Sequence, residues 1–230
     1  MSAFTLTYDY RNAKRLLIAL LGLELFLVAL YVMMHIALPD VRWGPFADAF
    51  DLDADLSIPA WFSSVQLFLA GGALLAASCF DRRHRWFLVL GSLVLIFLSV
   101  DEGAGLHERI TVVARGSEIG VLEALMIRNH GAWIMPYLLV GVLLIVIAIK
   151  PAISIFQEHR RPSLWVIIGA LTFMSGAVGL EISSYFLERR RAAVGYLVAV
   201  AAEEILEMLG VSLVLYGILI FGIEVQSNEK

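Results

Sequence analysis

The chain has 230 residues, 60% of them hydrophobic, with a net charge of −4 and a mean hydropathy of +0.83. Soluble domains are about 45 to 50% apolar, so this composition excludes an ordinary soluble domain and points to an integral membrane protein. The acidic balance, with Lys and Arg confined to short segments, argues against a nucleic-acid partner, and the single Cys79 rules out an internal disulfide and a cysteine-built metal centre.

Six apolar segments reach the roughly 20 residues a bilayer requires: 16–38, 59–80, 86–108, 133–150, 164–187 and 197–223. The expected fold is an all-α, polytopic bundle of six transmembrane helices with short loops, forming a single domain over residues 1–230. Arg11, Lys14 and Arg15 precede the first segment, but Leu16 to Leu38 is longer than the roughly 7 to 15 residue core of a cleavable signal, and no small-x-small site follows. It reads as span one. The next loop carries Asp40, Asp48, Asp51, Asp53 and Asp55 against Arg42. Its run at 51–55 has Leu56 and Phe62 where a calcium loop needs glycine and glutamate, so it is expected to be a solvated acidic loop.

Ser57 and Pro59 supply an N-cap and a first-turn proline for span two, which ends before Arg82, Arg83 and Arg85. Span three carries Asp101, Glu102, His107 and Glu108 towards its far end. In the segment Ser117 to Asn129, Ile119, Leu122, Leu125 and Met126 recur at helical spacing, which predicts an amphipathic helix on the outer surface, as a connector or a lid. Pro151 is expected to close span four, ahead of Arg160 and Arg161, with Lys150 at the boundary. Span five aligns Glu181, Ser184, Tyr185 and Glu188, while Ser175 and Gly179 could allow close packing. Span six begins with Tyr196, Glu203, Glu204 and Glu207.

Basic clusters after spans two and four, opposite the acidic loop, place both termini in the cytoplasm of a cell-membrane protein. Arg189, Arg190 and Arg191 oppose this and would act as counter-charges at the outer rim. All five tryptophans fall at or near span ends, where their rings favour the headgroup region.

The acids carry the functional signal, because a bare carboxylate in hydrocarbon costs several kcal/mol. Asp101 lies about 22 Å along span three, in the outer half, and Glu181 and Glu203 to Glu207 fall at a similar level. At about 100° per residue Glu203, Glu207, Glu204 and Tyr196 share one face of span six. On an ideal span three, Glu102 and His107 are about 140° apart. Gly103 and Gly105 between them predict a local break or π-bulge that would align Glu102 with His107.

Three explanations fit. The first is a metal site, with Asp101, His107, Glu108, Glu181, Glu204 and Glu207 as ligands for one or two divalent ions, iron, manganese, zinc, magnesium or calcium. Glu203 or Glu102 would then serve as general base in a hydrolase or oxidase acting on a lipid-like or other apolar molecule. The second is a proton- or cation-coupled transporter or channel using the same acids, for which Glu24 on span one is the candidate continuation. The third is structural, with Arg109, Arg128 and Arg189 to Arg191 neutralising interfacial acids. His35 and Gln66 are expected to border the cavity, whereas His84, His130 and His159 carry no spacing that demands a role. No phosphate loop, Gly-x-Ser-x-Gly or His-Glu-x-x-His motif occurs, and the histidine-rich signatures of membrane desaturases and zinc-dependent ceramidases are missing.

Overall fold

In the computed structural model, which describes residues 9–54, 56–115, 132–180 and 193–228, every regular element is helical. The order is α1 (Tyr10–Tyr31) with a π-helical continuation (Val32–Ala37), α2 (Pro45–Ala49), α3 (Ile58–Ala77), α4 (Arg85–Ala104), α5 (Leu106–Arg115), α6 (Ile134–Glu158), α7 (Arg160–Met174) with a π-helical continuation (Ser175–Leu180), and α8 (Ala193–Asn228). Among the described residues six helices are long and apolar enough to cross a bilayer: α1, α3, α4, α6, α7 and α8. The segment 117–129 and Arg189 to Arg191 lie outside the described residues.

Local chemistry sets the boundaries. Asp9 accepts the Asn12 backbone N–H at 2.8 Å to start α1, and Ser57 accepts that of Ala60 at 3.2 Å to start α3, with Pro59 in its first turn. Pro151 does not close α6. The helix runs through it to Glu158 and leaves Lys150 inside, because one missing backbone donor does not end a run that is helix-competent on both sides. The α6–α7 junction is instead a single residue, His159, whose ring Nδ1 lies 2.8 Å from Glu224 on α8.

The central helix is α8, packed most extensively on α7 and then on α3 and α1. Its seam with α7 depends on glycine. A Cβ at Gly169 would lie 2.6 Å from the Gly210 carbonyl oxygen, and one at Gly176 would lie 2.8 Å from the Glu203 carbonyl oxygen, so the backbones meet at van der Waals distance. The expected pair, Ser175 and Gly179, does not make this contact: both are exposed, and Gly176, one residue along from Ser175, takes the position on the α8 side. Helices α3 and α4 are joined by hydroxyls, with Ser64 donating to the Ser99 carbonyl at 2.7 Å and Ser99 donating to that of Ser64 at 2.8 Å.

Arg161 lies over the Tyr10 ring, which puts the start of α1 at the same end as the α6–α7 junction. At this basic end His84 is buried between Asp81, at 2.8 Å, and Ser154 of α6, at 3.0 Å, and Arg83 pairs with Glu158. His84 and His159, which sequence spacing gave no role, therefore fasten α6 and α7 to the bundle. Burial raises the Asp81 carboxyl, but the backbone N–H and ring of His84 outweigh it and hold it below its ordinary value.

Away from that fastening α6 is loosely held. Ile155 is its one buried side chain, while Leu139, Leu143 and Val146 are more than half exposed. The space between α6 and the other helices forms a cavity.

Candidate functional site

That cavity has a volume of about 1100 Å³ and is lined by α3, α4, α5, α6, α7, α8 and the loop before α3. Its body is apolar: Phe97 from α4, Leu144 and Ile145 from α6, Phe173 from α7, and Val211 and Val214 from α8. Its other end is acidic. Asp101, Glu102, His107, Glu108, Glu203, Glu204 and Glu207 all line it, as do Asp53, Tyr137 and Tyr196. Seven of the eight residues singled out in the sequence thus share one cavity. The eighth, Glu181, lies outside the described residues.

The chain break on span three is what brings this end together. Helix α4 stops at Gly105, whose left-handed backbone (φ 57°, ψ 42°) only glycine adopts without strain, and the Gly105 N–H donates to the Asp101 carbonyl. The Asp101 side chain then serves the next helix. Its Oδ1 accepts the His107 backbone N–H at 2.9 Å, and its Oδ2 lies 3.3 Å from His107 Nδ1. The expected break is present, but as a glycine C-cap followed by a new helix rather than a π-bulge, and it pairs His107 with Asp101 instead of aligning it with Glu102. The reason is directional: a left-handed residue turns the chain back over the last turn of α4, where Asp101 points.

His107 sits beyond the end of the α4 span. Burial opposes protonation of its ring, but the hydrogen bond and charge of Asp101, with Glu102 and Glu108, hold it above its ordinary value. The ring meets Trp133 edge-on at 5.5 Å, and Trp133 meets Tyr137 in the same way at 5.3 Å. This aromatic row closes the α6 side of the polar end.

On the opposite wall the acid stripe of α8 forms as helical phase predicted. Gly176 permits the backbone of the π-helical continuation of α7 to lie against Glu203 and the Glu207 stem. The Tyr196 hydroxyl lies 3.1 and 2.9 Å from the two carboxylate oxygens of Asp53, and Leu52 beside it is 3% exposed. The acidic loop is therefore folded over the bundle, not solvated throughout. The alternation of Leu52 with Asp51 and Asp53 was the available signal for a loop with one face buried.

Hard carboxylate oxygens and an imidazole are the donor types that suit a divalent ion. Among the described residues, however, no three His, Cys, Asp or Glu side chains converge to hold one. What the described residues form is a cavity with an acidic end. His35 and Gln66 do not border it. His35 stacks on Tyr31 at 4.6 Å, and Gln66 is buried against Glu24 and Ser212 between α1, α3 and α8.

The family model for a domain of unknown function, DUF8692, matches residues 16–221. The chain belongs to that family. No curated protein and no solved structure matches it. The DUF8692 match runs from the first turns of α1 to the last third of α8, so both walls of the cavity lie within it.

Proposed function

We propose that the protein is a multi-pass membrane protein whose cavity binds a lipid-like molecule, its apolar body between α6 and the other helices and its polar end among the acids. One observation carries this reading: a single cavity of about 1100 Å³ joins an apolar body to an end lined by Asp101, His107, Glu203, Glu204 and Glu207. The volume is at the upper end of the roughly 300 to 1,000 Å³ typical of small-molecule sites, and a loosely held α6 leaves a lateral route from the bilayer. The basic end, with Arg82, Arg83, Arg85, Arg160 and Arg161, supports placing both termini in the cytoplasm, and with them the acidic end on the outer side.

Clustered carboxylates favour positive charge at the polar end of the ligand. A cationic headgroup supplies it directly. A divalent ion held by His107, Asp101, Glu108, Glu204 and Glu207, completed by Glu181, would supply it too, together with the Lewis acidity of a hydrolase or oxidase in which Glu203 or Glu102 moves a proton. The headgroup reading needs no convergence of ligands and is the one the geometry favours. A second reading, a proton- or cation-coupled transporter, draws support from one carboxylate outside the cavity, Glu24, buried at 0% exposure.

The cavity is tested by filling it. Gly141 lines it, and a Cβ there meets nothing within 4 Å, so Gly141→Trp occupies the space without displacing backbone. Protein purified in mild detergent is expected to carry an amphiphile detectable by mass spectrometry, lost in Gly141→Trp at unchanged helicity. Element analysis of the same samples separates the two sources of positive charge. An identical lipid complement in both proteins contradicts the reading.

A further inference from the structure

Between α1, α3 and α8, outside the cavity, the two oxygens of the Glu24 carboxyl are treated unequally. Oε1 accepts two hydrogen bonds, from Gln66 Nε2 at 2.8 Å and from the Ser212 hydroxyl at 2.6 Å, while Oε2 has no hydrogen-bond partner among the described residues. Neither partner carries charge, and Glu24, Gln66 and Ser212 are at most 1% exposed. An ionised carboxylate has charge on both oxygens, and burying one without a cation costs several kcal/mol. A carboxylic acid has one accepting oxygen and one O–H donor. Two donors on Oε1 and none on Oε2 is the pattern of the acid, with its proton on Oε2.

Other buried atoms mark a way to that proton. Among the described residues Gln66 Oε1, Ser63 Oγ, Tyr31 Oη and His35 Nε2 have no hydrogen-bond partner, though all are buried. At 1.5 Å per residue Ser63 stands about 4.5 Å from Gln66 towards the acidic end, Tyr31 about 10 Å from Glu24, and Glu204, on the antiparallel α8, about 12 Å from Ser212 in the same direction. Tyr31 lies within electrostatic reach of Asp51, Asp53 and Glu204, and the last two line the cavity. Along the helix axes the steps from Gln66 to Ser63 and from Ser63 to Tyr31 are each about 5 Å, a rise that one bridging water can cover. Towards the basic end the same three helices are sealed by Leu20, Ala70, Leu215 and Ile218.

We propose that Glu24 is a proton-binding site, reached from the acidic end alone through the hydroxyls of Tyr31 and Ser63 and the waters between them. A proton leaves water at the cavity rim, each hydroxyl accepts one proton and releases another, and the last comes to rest on Glu24 Oε2; release reverses the same steps. The titratable groups facing this column are Tyr31 and His35 on α1, Asp51 and Asp53 in the loop, and Tyr196 and Glu204 on α8, while α3 contributes the neutral Ser63 and Gln66. The site is independent of what the cavity binds.

Infrared difference spectroscopy of the full chain in lipid nanodiscs tests this. At neutral pH a protonated-carboxyl band is expected that disappears in Glu24→Gln, a substitution that keeps the acceptor for Gln66 and Ser212. Exchange of that band in deuterated water is expected to slow in Tyr31→Phe and in Ser63→Ala. If Glu24→Gln fails to fold, Ser212→Ala removes one donor from Oε1 and must shift the band. A spectrum unchanged by Glu24→Gln or by Ser212→Ala overturns the proposal, as does exchange at the wild-type rate in both hydroxyl variants. Stabilisation by sodium over choline chloride that vanishes in Glu24→Gln would also overturn it, in favour of a bound cation.

Discussion

The hydroxyl of Tyr196, in the first turn of α8, bridges the two carboxylate oxygens of Asp53 at 3.1 and 2.9 Å. This contact ties the loop between α1 and α3 to the helix that carries the acid stripe, and it sets one rim of the cavity. A hydrogen bond to a charged group is worth about 1.5 to 3 kcal/mol when buried, and exposure of Asp53 to solvent reduces that to about 1 kcal/mol. Tyr196→Phe and Asp53→Ala are each expected to lower stability by that amount, the double variant by no more than either. Thermal unfolding of the four proteins in detergent checks it, and additive losses would show that the two residues act separately.

The seam between α7 and α8 makes a sharper contrast. A Cβ at Gly169 would lie 2.6 Å from the Gly210 carbonyl oxygen and 2.7 Å from the Val214 backbone nitrogen, whereas one at Gly141 meets nothing within 4 Å. Overpacking costs about 1 to 3 kcal/mol, and replacing an unconstrained helical glycine by alanine gains up to about 1 kcal/mol. Gly169→Ala should therefore melt earlier than the parent chain and Gly141→Ala no earlier. Equal melting temperatures for the two variants would mean that the helices are farther apart than described.

How much of this was legible in the sequence follows physical lines. The six helices and the acid stripe of α8 were, because apolar runs about 20 residues long and a 100° repeat are local properties. The chain break at Gly103 to Gly105 was located from glycine content alone, but its geometry was not. Whether Asp101 or Glu102 meets His107 depends on the left-handed turn at Gly105, a choice made by one residue's backbone. Pro151 misled because a proline lowers helix stability locally, while the residues on either side decide whether the helix continues. The partners of Glu24 were out of reach, since Gln66 and Ser212 are 42 and 188 residues away in the chain and only packing joins them. The pairing of Tyr196 with Asp53, 143 residues apart, was hidden for the same reason.

Gly105 yields a direct prediction from that turn. Placing a non-glycine residue in left-handed backbone costs about 1 to 2 kcal/mol, so Gly105→Ala is expected to be destabilised to that extent and to loosen the Asp101–His107 pair at 3.3 Å. The histidine ring resonances of the variant, followed by NMR, should move towards those of Asp101→Asn. Spectra matching the parent chain would show that the turn does not position His107.

At the basic end, pH supplies the test. The Asp81 carboxyl is held below its usual 3.8 by His84, against the effect of burial. A depressed carboxyl contributes stability that is fully present above its unfolded value and lost as pH falls through the folded one. Acidification below about pH 4 should thus release the Asp81–His84–Ser154 fastening of α6, and Asp81→Asn should be less stable than the parent at pH 7 but nearly equal to it at low pH. Denaturant titrations at the two pH values measure this. A difference that persists undiminished in acid would place the effect of Asp81 elsewhere.

The cavity reading is tested most directly by photolabelling in vesicles with a photoactivatable amphiphile carrying a cationic headgroup. Leu144 of α6 and Phe173 of α7 line the cavity, whereas Leu143 and Val146 of α6 are exposed without lining it. Adducts are expected on Leu144 and Phe173, and they should vanish in Gly141→Trp while labelling of Leu143 and Val146 is unaltered. Labelling spread evenly over the four positions, and indifferent to Gly141→Trp, would contradict a lipid-binding cavity.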